Sequence, residues 1–347
     1  MRILVSSFHF HPSIGGLEVA SQTIAGELAA RGHEITLLTG TAPGPDCDDA
    51  RRFAYPVVRR PGAAELVALV RRAELVWHNN ISLRYGWPLL ALRRPWVITH
   101  QGELYPKAAP PRPAKWLKLL AVRHATNIAI SRPVAADLPV ASVVVPNPYR
   151  DSLFRPLPGA TREFELGFAG RLVSDKGCDL LIEALAGLPG SPRLLVVGSG
   201  PEEPALRVRI EALGLAGRVV FAGAHRDAAL VEQLNRCRIL VVPSRWAEPF
   251  GIVALEGLAC GCVVVGSAAG GLAEAIGSAG LTFPNNDGAA LAATLAGLLA
   301  DPARQEALRA AAPGHLARFT AAAVTDRYEA IFAAALAGRG RAGAIPR

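Results

Sequence analysis

The sequence predicts an α/β protein of two doubly wound, Rossmann-like domains that face each other across a cleft. Three observations carry this expectation. Both halves of the 347 residues alternate short apolar strands with longer helical stretches. The strands are almost wholly apolar, as parallel strands covered on both faces must be. Between the halves, Pro146, Pro148, Pro156, Pro158 and Gly159 make a stretch that continues neither a helix nor a central strand.

Taken in order, the first half predicts strands at 3–5, 35–38, 75–77, 96–99, 127–130 and 143–145, with helices at 17–30 and 113–125. The second half predicts strands at 165–169, 194–197, 219–222, 239–242, 263–265 and 281–283. Its helices are expected at 178–186, 201–213, 228–235 and 252–259, followed by Ala-rich helices at 288–300, 303–311 and 321–337. The expected domains are 1–150 and 151–320, with the 321–337 helix packing back on the first. In such folds ligands bind beyond the carboxyl ends of the strands.

Composition narrows the class. Hydrophobic residues make up 51% and charged residues 19%, which supplies large cores and excludes chain-wide disorder. No apolar run reaches the roughly 18 residues of a membrane span. The N-terminus enters a strand at once, without a secretory segment. The five cysteines include no Cys-x-x-Cys pair and read as free thiols of a reducing cytoplasm. Residues 1–150 carry 18 Lys and Arg against 10 Asp and Glu, so the whole formal excess of +8 lies there. A basic half attracts an anionic partner such as a membrane surface or phosphorylated lipid; scattered surface arginines are the plainer reading.

Two constellations carry chemistry. The first runs from Glu248 to Glu256 behind the strand at 239–242. A helix starting near Gly251 leaves the amides of Gly251, Ile252 and Val253 free to hold a diphosphate. Carboxylates accept from sugar and ribose hydroxyls. Glu248 would otherwise cap the helix, and Glu256 would otherwise lie on a solvated face, although its neighbours Ile252, Val253, Leu255 and Leu258 are apolar. In the second, Gly170 ends a buried strand and Arg171 and Lys176 follow in the next loop. Two cations there would stabilise a departing nucleoside diphosphate without a metal.

Other signals fail. Asp46-Cys47-Asp48 lies in a Pro/Gly-rich loop and reads as a solvated turn. Gly198-Ser199-Gly200 is followed by Glu203 where a dinucleotide fingerprint needs glycine. His9 and His11 have no third ligand at a fitting spacing. Residues 107–123 fit either a basic amphipathic helix on anionic lipid or a core-facing helix with a basic outer face.

Gly170-Arg171-(x)4-Lys176-Gly177 followed by Glu248-(x)7-Glu256 resembles the retaining glycosyltransferases of family 4, which have the two-domain GT-B fold. The likeness spans nearly the whole chain. It includes the diglycine turn Gly15-Gly16, Thr99-His100-Gln101-Gly102, Pro146-Asn147, Val197-Gly198-Ser199-Gly200 and Gly270-Gly271. Val263 and Ala273 stand where the family usually has proline. The resemblance implies that Arg171 and Lys176 bind the diphosphate, Glu256 holds the ribose and Glu248 contacts the transferred sugar. Gly16 would approach the donor phosphates, with Gly170 and Gly198 also on the donor side, and His100 would lie near the reaction centre. It implies transfer from a nucleotide sugar, UDP before GDP, to an acceptor hydroxyl of a lipid-linked or cell-envelope glycan. Residues 151–320 would take the donor and 1–150 the acceptor. No cofactor, metal or nucleic acid is implied; peripheral contact with the inner membrane face is an expectation from the basic first half, not from the resemblance. Other readings on this fold are a nucleotide-sugar epimerase, a phosphorylase, or a non-catalytic sugar-nucleotide binding protein.

Overall fold

The computed structural model describes residues 1–13, 15–44, 48–102, 104 and 113–338. The chain forms two compact units. Unit 1 comprises Met1–Pro148 together with the helix Ala321–Leu336, and unit 2 is Tyr149–Thr320.

Unit 1 holds seven strands among the described residues: β1 (Arg2–Ser6), β2 (Glu34–Thr39), β3 (Val57–Arg59), β4 (Leu75–Asn79), β5 (Trp96–His100), β6 (Thr126–Ala129) and β7 (Val143–Val144). All pair in parallel, in the order β3-β2-β1-β4-β5-β6-β7. Its helices are α1 (Gly16–Ala30), α2 (Asp49–Arg52), α3 (Ala63–Arg72), α4 (Leu83–Gly86), α5 (Pro113–His124) and α6 (Arg132–Ala136). β4 and β5 are buried along their whole length, which is why their sequences alternate so little. β3 has no counterpart in the sequence expectations. Three residues between Pro56 and Arg60 are too few to show a period.

Unit 2 repeats the plan with β8 (Phe164–Ala169), β9 (Leu194–Val197), β10 (Val219–Gly223), β11 (Cys237–Val242), β12 (Val263–Ser267) and β13 (Gly280–Phe283). They too are all parallel, ordered β10-β9-β8-β11-β12-β13. The helices are α7 (Cys178–Ala186), α8 (Glu203–Ala212), α9 (Asp227–Asn235), α10 (Ile252–Ala259), α11 (Leu272–Ile276), α12 (Gly288–Leu299) and α13 (Pro302–Leu316). Chain order reverses across the sheet between β1 and β4 in unit 1, and between β8 and β11 in unit 2. Loops leaving adjacent strands there turn to opposite faces and open a crevice, the usual ligand position in a doubly wound sheet.

The last helix, α14 (Ala321–Leu336), belongs to unit 1. The Tyr328 hydroxyl meets Thr99 Oγ1 at 3.0 Å, and Trp77 Nε1 donates to the same oxygen at 2.9 Å. The Trp77 and Tyr328 rings meet edge to face at 5.1 Å. At the other side of this contact, Arg31 and His33 reach Glu329. Helix α13 runs to Leu316 with Pro313 inside it, beyond the stop expected at residue 311. Packing accounts for the extension: His315 Nε2 bonds the Ala275 carbonyl at 2.6 Å, and Leu316 is buried. This holds a turn that proline alone would have ended.

Candidate functional site

The loops after β8 and β11 stand side by side at the order reversal of unit 2, and two glycines set their paths. A Cβ on Gly198, whose φ is +150°, would fall 1.8 Å from the Gly170 carbonyl oxygen. The Gly170 amide in turn donates to Val197 O at 3.0 Å. Gly177, left-handed at φ +66°, lies so close to Pro243 that a Cβ would be 2.1 Å from its carbonyl oxygen. Gly177 and Gly198 thus have a packing reason independent of any ligand, whereas a Cβ on Gly170 would meet only Phe168 at 3.6 Å. The loops are further tied by the Arg245 amide donating to Asp175 O at 2.8 Å.

Lys176 rides on this junction. Its Nζ donates to Glu248 Oε1 in an ion pair, and Ser244 Oγ donates to the same oxygen at 2.7 Å. The side chains of Lys176 and Glu248 are 27% and 12% exposed, so the pair is partly desolvated and still reachable. Glu248 does not cap α10; the cap position is Gly251, left-handed at φ +98°. Arg171 is exposed, and its guanidinium has no partner among the described residues. The amides of Gly251, Ile252 and Val253 donate to no backbone carbonyl among the described residues. An exposed arginine, a lysine and a helix N-terminus at one strand edge make a set of anion donors.

Glu256 lies inside α10 and is 8% exposed, which rules out a solvated face. Burial pushes its carboxyl up to about 7; the charge of Arg150 opposes this and that of Asp227 adds to it. Arg150 itself is bonded to Asp227, and its ring-side face covers Phe154 at 5.3 Å. No group among the described residues hydrogen-bonds the Glu256 carboxyl, and a mostly buried acid of this kind is costly unless water or hydroxyls satisfy it.

In unit 1, His100 ends β5 and is 1% exposed. The amide group of Asn127 donates to Val122 O and Ala125 O, so its Oδ1 must face His100 Nε2 at 2.9 Å. Nε2 therefore carries the proton. Nδ1 keeps a buried lone pair with no partner among the described residues. Burial lowers the imidazole pKa and holds the ring neutral. Gly16 begins α1 behind Gly15, over which the Glu18 carboxylate folds.

Sequence reading passed over a polar network beside His100. Gln101 Nε2 donates to Asn79 Oδ1 at 2.7 Å and Asn147 Oδ1 at 2.9 Å. Asn147 Nδ2 returns a bond to Gln101 Oε1 at 2.7 Å, and Asn79 Nδ2 reaches Ser21 at 2.6 Å. Asn79 ends β4, beside the order reversal, and Gln101 follows β5 next to it. A run of two asparagines after an apolar strand was the available signal. Asp46 and Cys47 lie outside the described residues, as does Ile14. Among the described residues no three His, Cys, Asp or Glu side chains converge on a metal position.

Residues 150–315 match the profile described as glycosyl transferases group 1, and residues 14–148 match glycosyltransferase family 4. A D-inositol 3-phosphate glycosyltransferase of Acidothermus cellulolyticus is 34% identical, over 88% of this chain and 82% of that protein.

The chain belongs to glycosyltransferase family 4.

Other family members align over less. A D-inositol 3-phosphate glycosyltransferase of Stackebrandtia nassauensis is 38% identical over 45% of this chain, and the chain spans only 38% of its length. Among solved structures, Anabaena HepE in complex with UDP and glucose superposes with a TM-score of 0.80 at 22% identity, covering 96% of this chain and 100% of that one. The lipopolysaccharide glycosyltransferase WaaG gives 0.70 at 20% identity, covering 95% and 99%. At such identities these structures speak for the fold, which is the GT-B fold of family 4.

Proposed function

We propose that this glycosyltransferase moves a sugar from a UDP-sugar to an acceptor hydroxyl with retention of the anomeric configuration. The observation that carries the reading is the set of anion donors at the order reversal of unit 2: Arg171, Lys176 and the α10 amides. The acceptor oxygen attacks the anomeric carbon from the face the diphosphate leaves. As the carbon–oxygen bond to phosphate breaks, the leaving phosphate oxygen takes the acceptor proton. The cations and amides stabilise its charge. Glu256 accepts from ribose hydroxyls, Glu248 from the sugar, and His100 and Gly16 belong to the acceptor-side unit. The uridine preference draws support from the HepE complexes with UDP and UDP-glucose, and a small polyol acceptor from the relatives' names. UDP- and GDP-sugars are screened by thermal stabilisation, and the product of the best donor is then assigned by proton NMR. A β product from an α donor sinks the retaining mechanism, and donor conversion without acceptor points to an epimerase.

Peripheral contact with anionic lipid is a second element of the reading. Helix α5 buries Ala121 and Val122 but leaves Trp116, Leu117 and Leu120 exposed by 69%, 45% and 46%. Lys118 and Arg123 share that helix. The core stripe is therefore narrower than the apolar sequence suggests, and the surplus forms a basic, apolar face suited to a membrane interface. Trp116→Ala is expected to weaken sedimentation with phosphatidylglycerol vesicles several-fold, with wild-type binding falling as salt is raised. Equal sedimentation of both proteins removes this element.

A further inference from the structure

A cavity of about 570 Å³ opens at the carboxyl edge of the unit 1 sheet, lined by none of the residues given a role above. Phe8 and His9 follow β1, Thr41 follows β2, Arg60 follows β3 and Arg84 lies on α4 behind β4. Two arginines thus line one cavity, and among the described residues no Asp or Glu lines it. Neither arginine has a carboxylate partner among the described residues. Arg31 and Arg59 of the same unit, by contrast, are paired with acids.

Arg60 and the walls are held in place. Arg60 takes a left-handed backbone, φ 50°, which a non-glycine residue adopts at a cost. Its amide donates to Thr39 O at 2.8 Å and its Nε to Gly40 O at 3.0 Å, which leaves the rest of the guanidinium fork available. Below it, Arg59 is 10% exposed in its side chain, paired with Asp49, and donates to the carbonyls of His11 and Thr41 at 3.0 Å each. Thr41 Oγ1 also accepts from the Phe10 amide at 3.0 Å. The loops after β1 and β2 are therefore pinned to a buried arginine, while the next residue in sequence presents its charge to the cavity.

We propose that this cavity binds a phosphate group, through Arg60 and Arg84, on the molecule that accepts the sugar. Planar guanidinium forks match phosphate oxygens in pairs. The hydroxyls of Ser13 and Thr41 at the rim suit a hydroxyl-bearing body, and the volume is that of a small-molecule site. Calling the ligand an acceptor rests on the transferase reading; the phosphate site itself does not. The phosphate belongs either to a soluble sugar or polyol phosphate or to a lipid headgroup.

Calorimetric titrations with inorganic phosphate, glucose 6-phosphate and glucose, with and without saturating UDP, test this. With UDP filling the donor site, wild-type protein is expected to bind glucose 6-phosphate at least tenfold more tightly than glucose. Arg60→Gln/Arg84→Gln should lower the affinity for both phosphate probes tenfold or more and leave UDP affinity unchanged. Arg207→Gln/Arg304→Gln removes the same charge from unit 2 and should change nothing. Phosphatidylinositol vesicles form the other arm. Vesicle binding that falls in the Arg60/Arg84 variant, without binding of the soluble probes, assigns the phosphate to a lipid headgroup. If neither arm depends on the two arginines, the proposal is overturned. Failure of UDP to bind the wild type would sink the donor reading instead and leaves the phosphate titrations readable.

Discussion

Lys176→Ala is expected to lower kcat by about 10²–10³, equivalent to roughly 2.7–4 kcal/mol of lost stabilisation of the departing diphosphate. The ion pair in the site adds a second consequence. Glu248 takes a proton donor from both Lys176 and Ser244, so removing the lysine leaves a half-buried carboxylate held by a hydroxyl alone. The two residues should therefore behave as a unit. Glu248→Gln should cost less in the Lys176→Ala background than in the wild type, since contacting residues are not additive. Arg171 offers a contrast. Without a partner among the described residues, its loss should reduce activity and leave the thermal midpoint in place. Steady-state kinetics with the identified donor, paired with thermal melts, separate these cases. Unchanged turnover in Lys176→Ala would end the assignment.

Glu256→Gln should make the protein more stable and a poorer binder of UDP. The native carboxyl titrates near 7 because burial disfavours its charge, whereas an unfolded glutamate titrates near 4.5. The folded state thus holds the proton more tightly. The stability this gives is complete below about pH 4.5 and is lost as pH rises towards 7. The shift amounts to about 3 kcal/mol at about 1.36 kcal/mol per pH unit. Glutamine has no charge to form. Its advantage should reach about 3 kcal/mol at pH 8, or roughly 6–12 °C in the melting of a unit this size, and shrink below about 1 kcal/mol at pH 5. With the proposed role of Glu256, a charged acceptor bond to ribose goes with it, so UDP should bind about tenfold or more weakly. In the wild type, UDP affinity should rise with pH through 7. A variant whose midpoint tracks the wild type at every pH contradicts the buried position of Glu256.

Much of the architecture was legible because parallel strands buried on both faces carry plain apolar runs, as residues 75–77, 96–98 and 239–242 do. The four charged residues of the candidate site in unit 2 could be singled out because their spacing relative to strand ends survives in one dimension. What the sequence could not tell was pairing. Nothing in it says that Lys176 and Glu248 meet, since the contact depends on Gly177 lying against Pro243. Nor does it say that Arg59 turns inward and Arg60 outward, since β3 is too short to display its alternation. The amide network around Gln101 and Asn147 joins residues 46 positions apart, and amides carry no charge pattern to betray them.

The return of α14 to unit 1 makes the two units unequal in the history of the chain. Unit 2 is one continuous segment and is complete once Thr320 has been added. Unit 1 begins first, yet its core around Trp77 waits for Tyr328, whose bond to Thr99 closes a separation of 229 residues. During synthesis the later unit can thus settle before the earlier one, and the aromatic centre of unit 1 stays open to a chaperone or a protease until α14 emerges.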